Sequence, residues 1–149
     1  MPSEVKRLQV FPYDTQGQPL ATQEYPAPSW DDIVKAIQEL DGFQNPMLRL
    51  RLNDDEDPDG LDMESLGILG SPKAYAIFGY SLLEQEATYY APKQGVDSVV
   101  VCSSDQGYSA PANEVCFEID MVLKIAKHYY SNGDFFPGAG WKLIEDETE

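Results

Sequence analysis

The sequence predicts an α+β domain, with a single, largely antiparallel β-sheet packed against two main amphipathic helices. Three observations lead there. Apolar residues recur at helical spacing in two windows, about 29–41 and 118–131. Between these windows lie short runs, either alternating or wholly apolar, separated by hairpin-like turns. The 149 residues are 42% hydrophobic, enough for one domain with a real core, so residues 1–149 are read as one unit without repeat or linker.

Residues 4–13, EVKRLQVFPY, form the first expected strand, ended by Pro12 and the turn-prone 14–17 segment. A proline-rich approach with Pro19, Pro26 and Pro28 leads into SWDDIVKAIQELDG. There Ser29 is a good N-cap, and Asp31 and Asp32 complement the positive end of the helix dipole. Trp30, Ile33, Val34, Ile37 and Leu40 share one helical face, and Gly42 supplies the stop.

In MLRLRLN, Leu48, Leu50 and Leu52 alternate with Arg49 and Arg51, the period of a half-buried strand. Met63 to Leu69 reads as the next strand, with a turn at Gly70-Ser71-Pro72. AYAIFGY (74–80) and the more apolar SVVVCS (98–103) follow as strands. Residues 81–97, with Tyr89 and Tyr90, fit either a further strand or a loop. After a loop rich in Ser, Gly and Pro, the residues Ile119, Val122, Leu123, Ala126, Tyr129 and Tyr130 return to helical period. Asn132-Gly133 closes that helix. A Trp141–Ile144 segment comes last, and the acidic residues 145–149 are expected to fray.

Acids outnumber bases 26 to 10, a net charge of −16. Such a field repels nucleic acid and anionic lipid and speeds encounter with basic proteins, although it also serves plain solubility. No apolar run approaches the roughly 18 residues of a membrane span, and no signal-peptide pattern follows the charged start. A cytoplasmic location is therefore expected. Cys102 and Cys116 lack metal-ligand or CxxC spacing and read as buried free thiols, with a disulfide between them left open.

The stretch DEDPDG (55–60) has the opening of a calcium loop, with Asp55, Asp57 and Asp59 at alternate positions before Gly60. The closing position, where a bidentate glutamate is required, is Leu66, and the preceding segment is a strand rather than a helix. No metal site is assigned, and weak calcium binding by the irregular 54–64 stretch stays open. His128 is the single histidine, placed within the second helix, and no nucleophile elbow, phosphate loop or zinc signature is present. No catalytic residue and no cofactor is assigned. Aromatic pairs (Tyr89-Tyr90, Tyr129-Tyr130, Phe135-Phe136) suit interfaces, or one core and one rim residue each.

The order of these features is more specific than any one of them. Trp30 to Gly42 runs W-x-x-I-x-x-x-I-x-x-L-D-G, followed by LRLRL, SLGILGSPKAYAI, a VVV strand and EIDMVLKIAKHYYSNGDFFPGAGW. This order resembles the Imm1 family of bacterial immunity proteins over roughly residues 28–142. Two features depart from the family pattern: only Gly67 and Gly70 stand before Tyr75, and Ser103-Ser104-Asp105 replaces a Gly-Gly-Gln. The resemblance implies an inhibitor that neutralises a cognate toxin, a nuclease or nucleic-acid deaminase with a basic surface, by stoichiometric binding without catalysis. It implies structural anchoring by Trp30, Ile33, Ile37, Leu40, Gly42, Tyr129, Gly133 and Trp141.

Charge then nominates the toxin-facing residues. These are Asp54, Asp55, Glu56, Asp57, Asp59, Asp62 and Glu64 in one stretch, and Asp105, Gln106 and Tyr108 in another. Alternatives are an acidic mimic of nucleic acid that blocks a DNA-binding protein, and an uncharacterised hydrolase. Neither nucleic acid nor membrane is an expected partner, and oligomeric state is not legible.

Overall fold

Strand alternation sorts the apolar side chains onto the two faces of one sheet. The computed structural model describes residues 5–52, 65–71, 74–81, 85–103 and 108–143. Its strands are β1 (Arg7–Val10), β2 (Gln23–Pro26), β3 (Met47–Arg51), β4 (Ser65–Ser71), β5 (Ala74–Ser81), β6 (Gln85–Tyr89), β7 (Ser98–Cys102), β8 (Tyr108–Pro111) and β9 (Trp141–Leu143). Helix α1 spans Trp30–Gln38 and α2 spans Ile119–Asn132. Seven strands form one antiparallel sheet in the order β2-β1-β3-β4-β5-β6-β9, and β7 and β8 form a separate two-stranded ribbon. The α+β class and the largely antiparallel sheet with two helices are what the sequence predicts.

Leu8 on β1 sits opposite Leu50 on β3, which sits opposite Leu66 on β4; Leu48 and Ile68 make the next row. All five are buried, and on the same face Tyr75, Ile77, Ala87 and Tyr89 continue the layer. Both helices cover this face with Ile33, Ile37, Val122, Ile125, Ala126 and Tyr129. Burying a Leu or Ile side chain here contributes about 1.5–3 kcal/mol. The opposite face of β4 and β5 presents Leu69, Ala74, Ala76 and Phe78, and the ribbon covers it with Val99, Val101 and Ala110. Small alanines under a β-ribbon let the two layers approach closely. The result is three layers: helices, sheet, ribbon.

The chain changes layer once between the ribbon and α2. Val115 belongs to the ribbon cluster and Cys116 to the helix cluster. Cys116 pairs with Tyr75 through two backbone hydrogen bonds, Tyr75 N–H to the Cys116 carbonyl at 2.9 Å and Cys116 N–H to the Tyr75 carbonyl at 2.8 Å. It fits there because β6 pairs with β5 only from Phe78 to Ser81, leaving the edge of Tyr75 open.

Both helices carry sequence-encoded ends. Ser29 Oγ accepts from the Asp32 N–H, and Asp32 Oδ2 accepts from the Ser29 N–H, a reciprocal capping box. Gly133 closes α2 in the left-handed conformation at φ 69°, its N–H bonded to the Tyr129 carbonyl.

Several sequence expectations need correction. The first strand is only Arg7–Val10, and α1 stops at Gln38 with Glu39 as its C-cap, three residues before Gly42. Asp41 explains the early stop: its Oδ1 accepts from the N–H groups of Phe43 and Asn45, organising a turn that competes with helix. The proline-rich approach contains β2, an edge strand exposed at every position, so it has no hydrophobic alternation to reveal it. Within the Ser/Gly/Pro-rich loop, Tyr108–Pro111 is β8.

The open 81–97 segment contains β6 and then a 3-10 turn at Pro92–Gln94. Position 70–71 is not a turn, because β4 runs through Ser71. Gly70 has φ 136°, and a side chain there would overlap the Ala74 carbonyl, so glycine is required by the close β4–β5 return. Met63, Pro72, Ile144 and the acidic residues 145–149 lie outside the described residues.

Candidate functional surface

Of the ten nominated contact residues, nine lie outside the described residues: Asp54, Asp55, Glu56, Asp57, Asp59, Asp62, Glu64, Asp105 and Gln106. Residues flanking them are placed. Arg51 and Ser65, which precede and follow 53–64, are register partners at one end of β3 and β4. Ser103, which precedes 104–107, donates its N–H to the Gly42 carbonyl at the other end, beside the start of β3. Strand β3 has five residues, so these ends are about 13 Å apart along the strand.

Tyr108 is half-buried, with its ring edge-on to Phe78 at 5.9 Å and 75°. Burial pushes its hydroxyl pKa up, with smaller contributions from Glu114 and Cys102. Its ring packs in the ribbon–sheet layer and stays partly exposed.

The anchor residues divide by layer. Ile33, Ile37, Leu40 and Tyr129 are buried among the helices and sheet. Trp30 packs against Tyr130 at 5.7 Å, and the Lys127 ammonium lies over the Trp30 ring at 4.8 Å. Trp141 stacks on Phe135 at 5.0 Å and 25°, and its indole N–H donates to the Phe136 carbonyl at 2.9 Å. Gly42 has φ 77°, a conformation that favours glycine.

Beyond the ribbon, the outward face of β1 and β3 carries Arg7, Gln9, Arg49 and Arg51, with Arg7 directly opposite Arg51. Arg51 is only 6% exposed, although the alternation suggested a solvated basic face. Arg7 pairs with Glu24 at 2.7 Å, and Arg49 lies 5.3 Å over the ring of Phe11. Burial and the neighbouring Arg51 lower the Arg49 pKa. The bases on this face are set by packing as much as by local charge.

Chemistry is equally bounded. Cys102 and Cys116 are buried free thiols, and desolvation raises the pKa of both. Tyr89, next to Cys116, is pushed up to about 12, chiefly by burial and then by the thiol. A raised thiol pKa opposes nucleophilic use at neutral pH. His128 touches the Phe136 ring and Asn132. Among the described residues, no group of three or more His, Cys, Asp or Glu side chains could hold a metal ion. No helix among them is long and apolar enough to cross a membrane.

Described residues form several surface grooves. One of about 140 Å³ lies between α1 and the β1–β2 hairpin, lined by Tyr25, Asp32, Lys35 and Glu39 among others. Another, about 430 Å³, lies under Tyr130 beside Pro26–Ser29. A third, about 440 Å³, follows α2 and is lined by Leu123, Lys124, Lys127, His128, Ser131, Asn132 and Phe136. Sequence reasoning missed this last surface. Its only signal was the i, i+4 rows Leu123-Lys127-Ser131 and Lys124-His128-Asn132 on a helix otherwise read for its buried face. No family model matches the sequence, and no curated protein matches it significantly.

Proposed function

We propose that this chain is a cytoplasmic immunity protein that neutralises a cognate bacterial toxin domain by stoichiometric binding. The toxin is a nuclease or nucleic-acid deaminase with a basic substrate surface. The observation that carries the reading is the segregation of charge. Eleven of the 26 acids lie in two short stretches, 53–64 and 145–149, that hold no base. Seven acids and no base lie in 53–64 alone. Acidity is thus concentrated locally along the chain, which suits steering towards a basic partner and excluding its polyanionic substrate. The ordered motifs shared with the Imm1 pattern support the same reading.

The test is co-expression with the toxin encoded beside it. Rescued growth and a one-to-one complex on size exclusion are expected. Continued killing with no complex between the purified proteins would refute the reading.

A further inference from the structure

The groove along α2 differs in charge from the rest of the chain. Among the described residues its lining includes Lys124, Lys127 and His128 and not one carboxylate, in a protein where acids outnumber bases 26 to 10. Among the described residues, neither lysine has a carboxylate within ion-pair distance. Asp120, four residues before Lys124, is no exception. The Lys127 ammonium lies instead over two aromatic faces, Trp30 at 4.8 Å and Tyr130 at 5.9 Å. His128 is held between Phe136, at 5.7 Å between ring centroids, and Asn132, whose Nδ2 donates to the His128 carbonyl at 3.1 Å.

Leu123 and Phe136 give the groove an apolar floor, which the lysine stems extend. From Leu123 to Ser131 the helix rises about 12 Å, the reach of three or four extended residues.

We propose that this groove is a second docking site that takes a short acidic segment of another protein. The segment sets one aromatic or aliphatic side chain on Leu123 and Phe136, with carboxylates flanking it against Lys124 and Lys127. Charge complementarity selects this occupant. Nucleic acid and anionic membrane carry extended negative charge that meets the −16 field of the whole molecule. A short segment feels chiefly charges within the Debye length of about 8 Å, and on this part of α2 Lys124 and Lys127 outnumber Asp120. The site is independent of the toxin-binding reading, which rests on the acidic segments.

The probe is a short glutamate-rich peptide with one central phenylalanine, titrated into the full-length protein and followed by amide chemical shifts. Shifts centred on Leu123, Lys127, His128 and Phe136 are expected, with binding roughly tenfold weaker in the Lys124→Glu/Lys127→Glu variant. Both lysines are exposed, so the variant should keep its fold, its melting temperature lowered only by the loss of the Lys127 contact with Trp30 and Tyr130. Replacing the peptide phenylalanine by alanine should also weaken binding. Three results would overturn the proposal: no shifts at millimolar peptide, equal binding by the charge-reversed variant, or equal binding of a lysine-rich peptide. So would groove signals that move with protein concentration alone, since the occupant would then be a second copy of the chain.

Discussion

The ring of Phe135 fills the space above the Cα of Gly79 that any side chain at that position would need. Phe135 follows α2 and Gly79 lies on β5, so this contact docks the end of the helical layer onto the sheet. Trp141 stacks on the other side of the same junction, tying in β9. Gly79→Ala should force the ring aside and destabilise the fold by about 1–3 kcal/mol. Phe135→Ala should cost about 3–5 kcal/mol. Urea melts measure both, and an unchanged midpoint for Gly79→Ala would show that the ring moves freely.

Loss of the α1 cap should be smaller and local. Ser29→Ala removes the oxygen that accepts from Asp32 N–H, at a cost of about 1 kcal/mol. Asp32→Ala removes the reciprocal bond, and the double variant should lose less than the sum because the two bonds form one unit. Strict additivity in denaturant melts would argue against a coupled box.

Alkaline pH should weaken the fold in a defined window. Tyr89 is pushed up to about 12 from 10.0, and Tyr75, Tyr108 and both thiols are also raised, so the unfolded chain loses these protons first. Their contribution is fully present below pH 9, the ordinary thiol value, and is lost as pH rises towards about 12. Tyr89→Phe should flatten the upper part of that decline in melts at successive pH values. An identical profile would remove Tyr89 as a cause.

The two cysteines should resist alkylation in the native protein at neutral pH, being buried with raised pKa values. Both should label promptly in denaturant. Rapid native labelling of Cys116 would mean that the layer-crossing segment opens readily.

If the proposed toxin is the partner, charge reversal at Asp55, Asp57 and Asp59 should slow association with it and flatten its dependence on salt. Stopped-flow rates at low ionic strength decide the matter. Rates equal to those of the unaltered protein would remove the 53–64 stretch from the encounter surface.

Elements with one buried face were legible in the sequence. Leu48-Leu50 alternation and the Ile33-Ile37 repeat each encode a side facing a core, and both elements are where that periodicity puts them. Elements without such a face were not. Strand β2 is exposed throughout, and β8 reads as loop because its partner β7 supplies most of the apolar content. Helix ends were half legible: Ser29 marked a start, but the Asp41 turn overrode Gly42 as the stop. For the candidate surface, composition nominated the acidic stretches, while the pairing of Arg51 with Ser65 and of Ser103 with Gly42 depended on register that no local pattern encodes.

The Tyr75–Cys116 bridge has a kinetic consequence. Its two amides join a sheet strand to the single segment that passes from ribbon to helix layer. If the ribbon detaches while the helices stay packed, their hydrogen exchange will be faster than that of Ile77 and Ile125. If all three layers open together, all four amides will exchange at the rate of global unfolding. Two backbone protons thus distinguish a molecule that opens stepwise from one that opens as a unit.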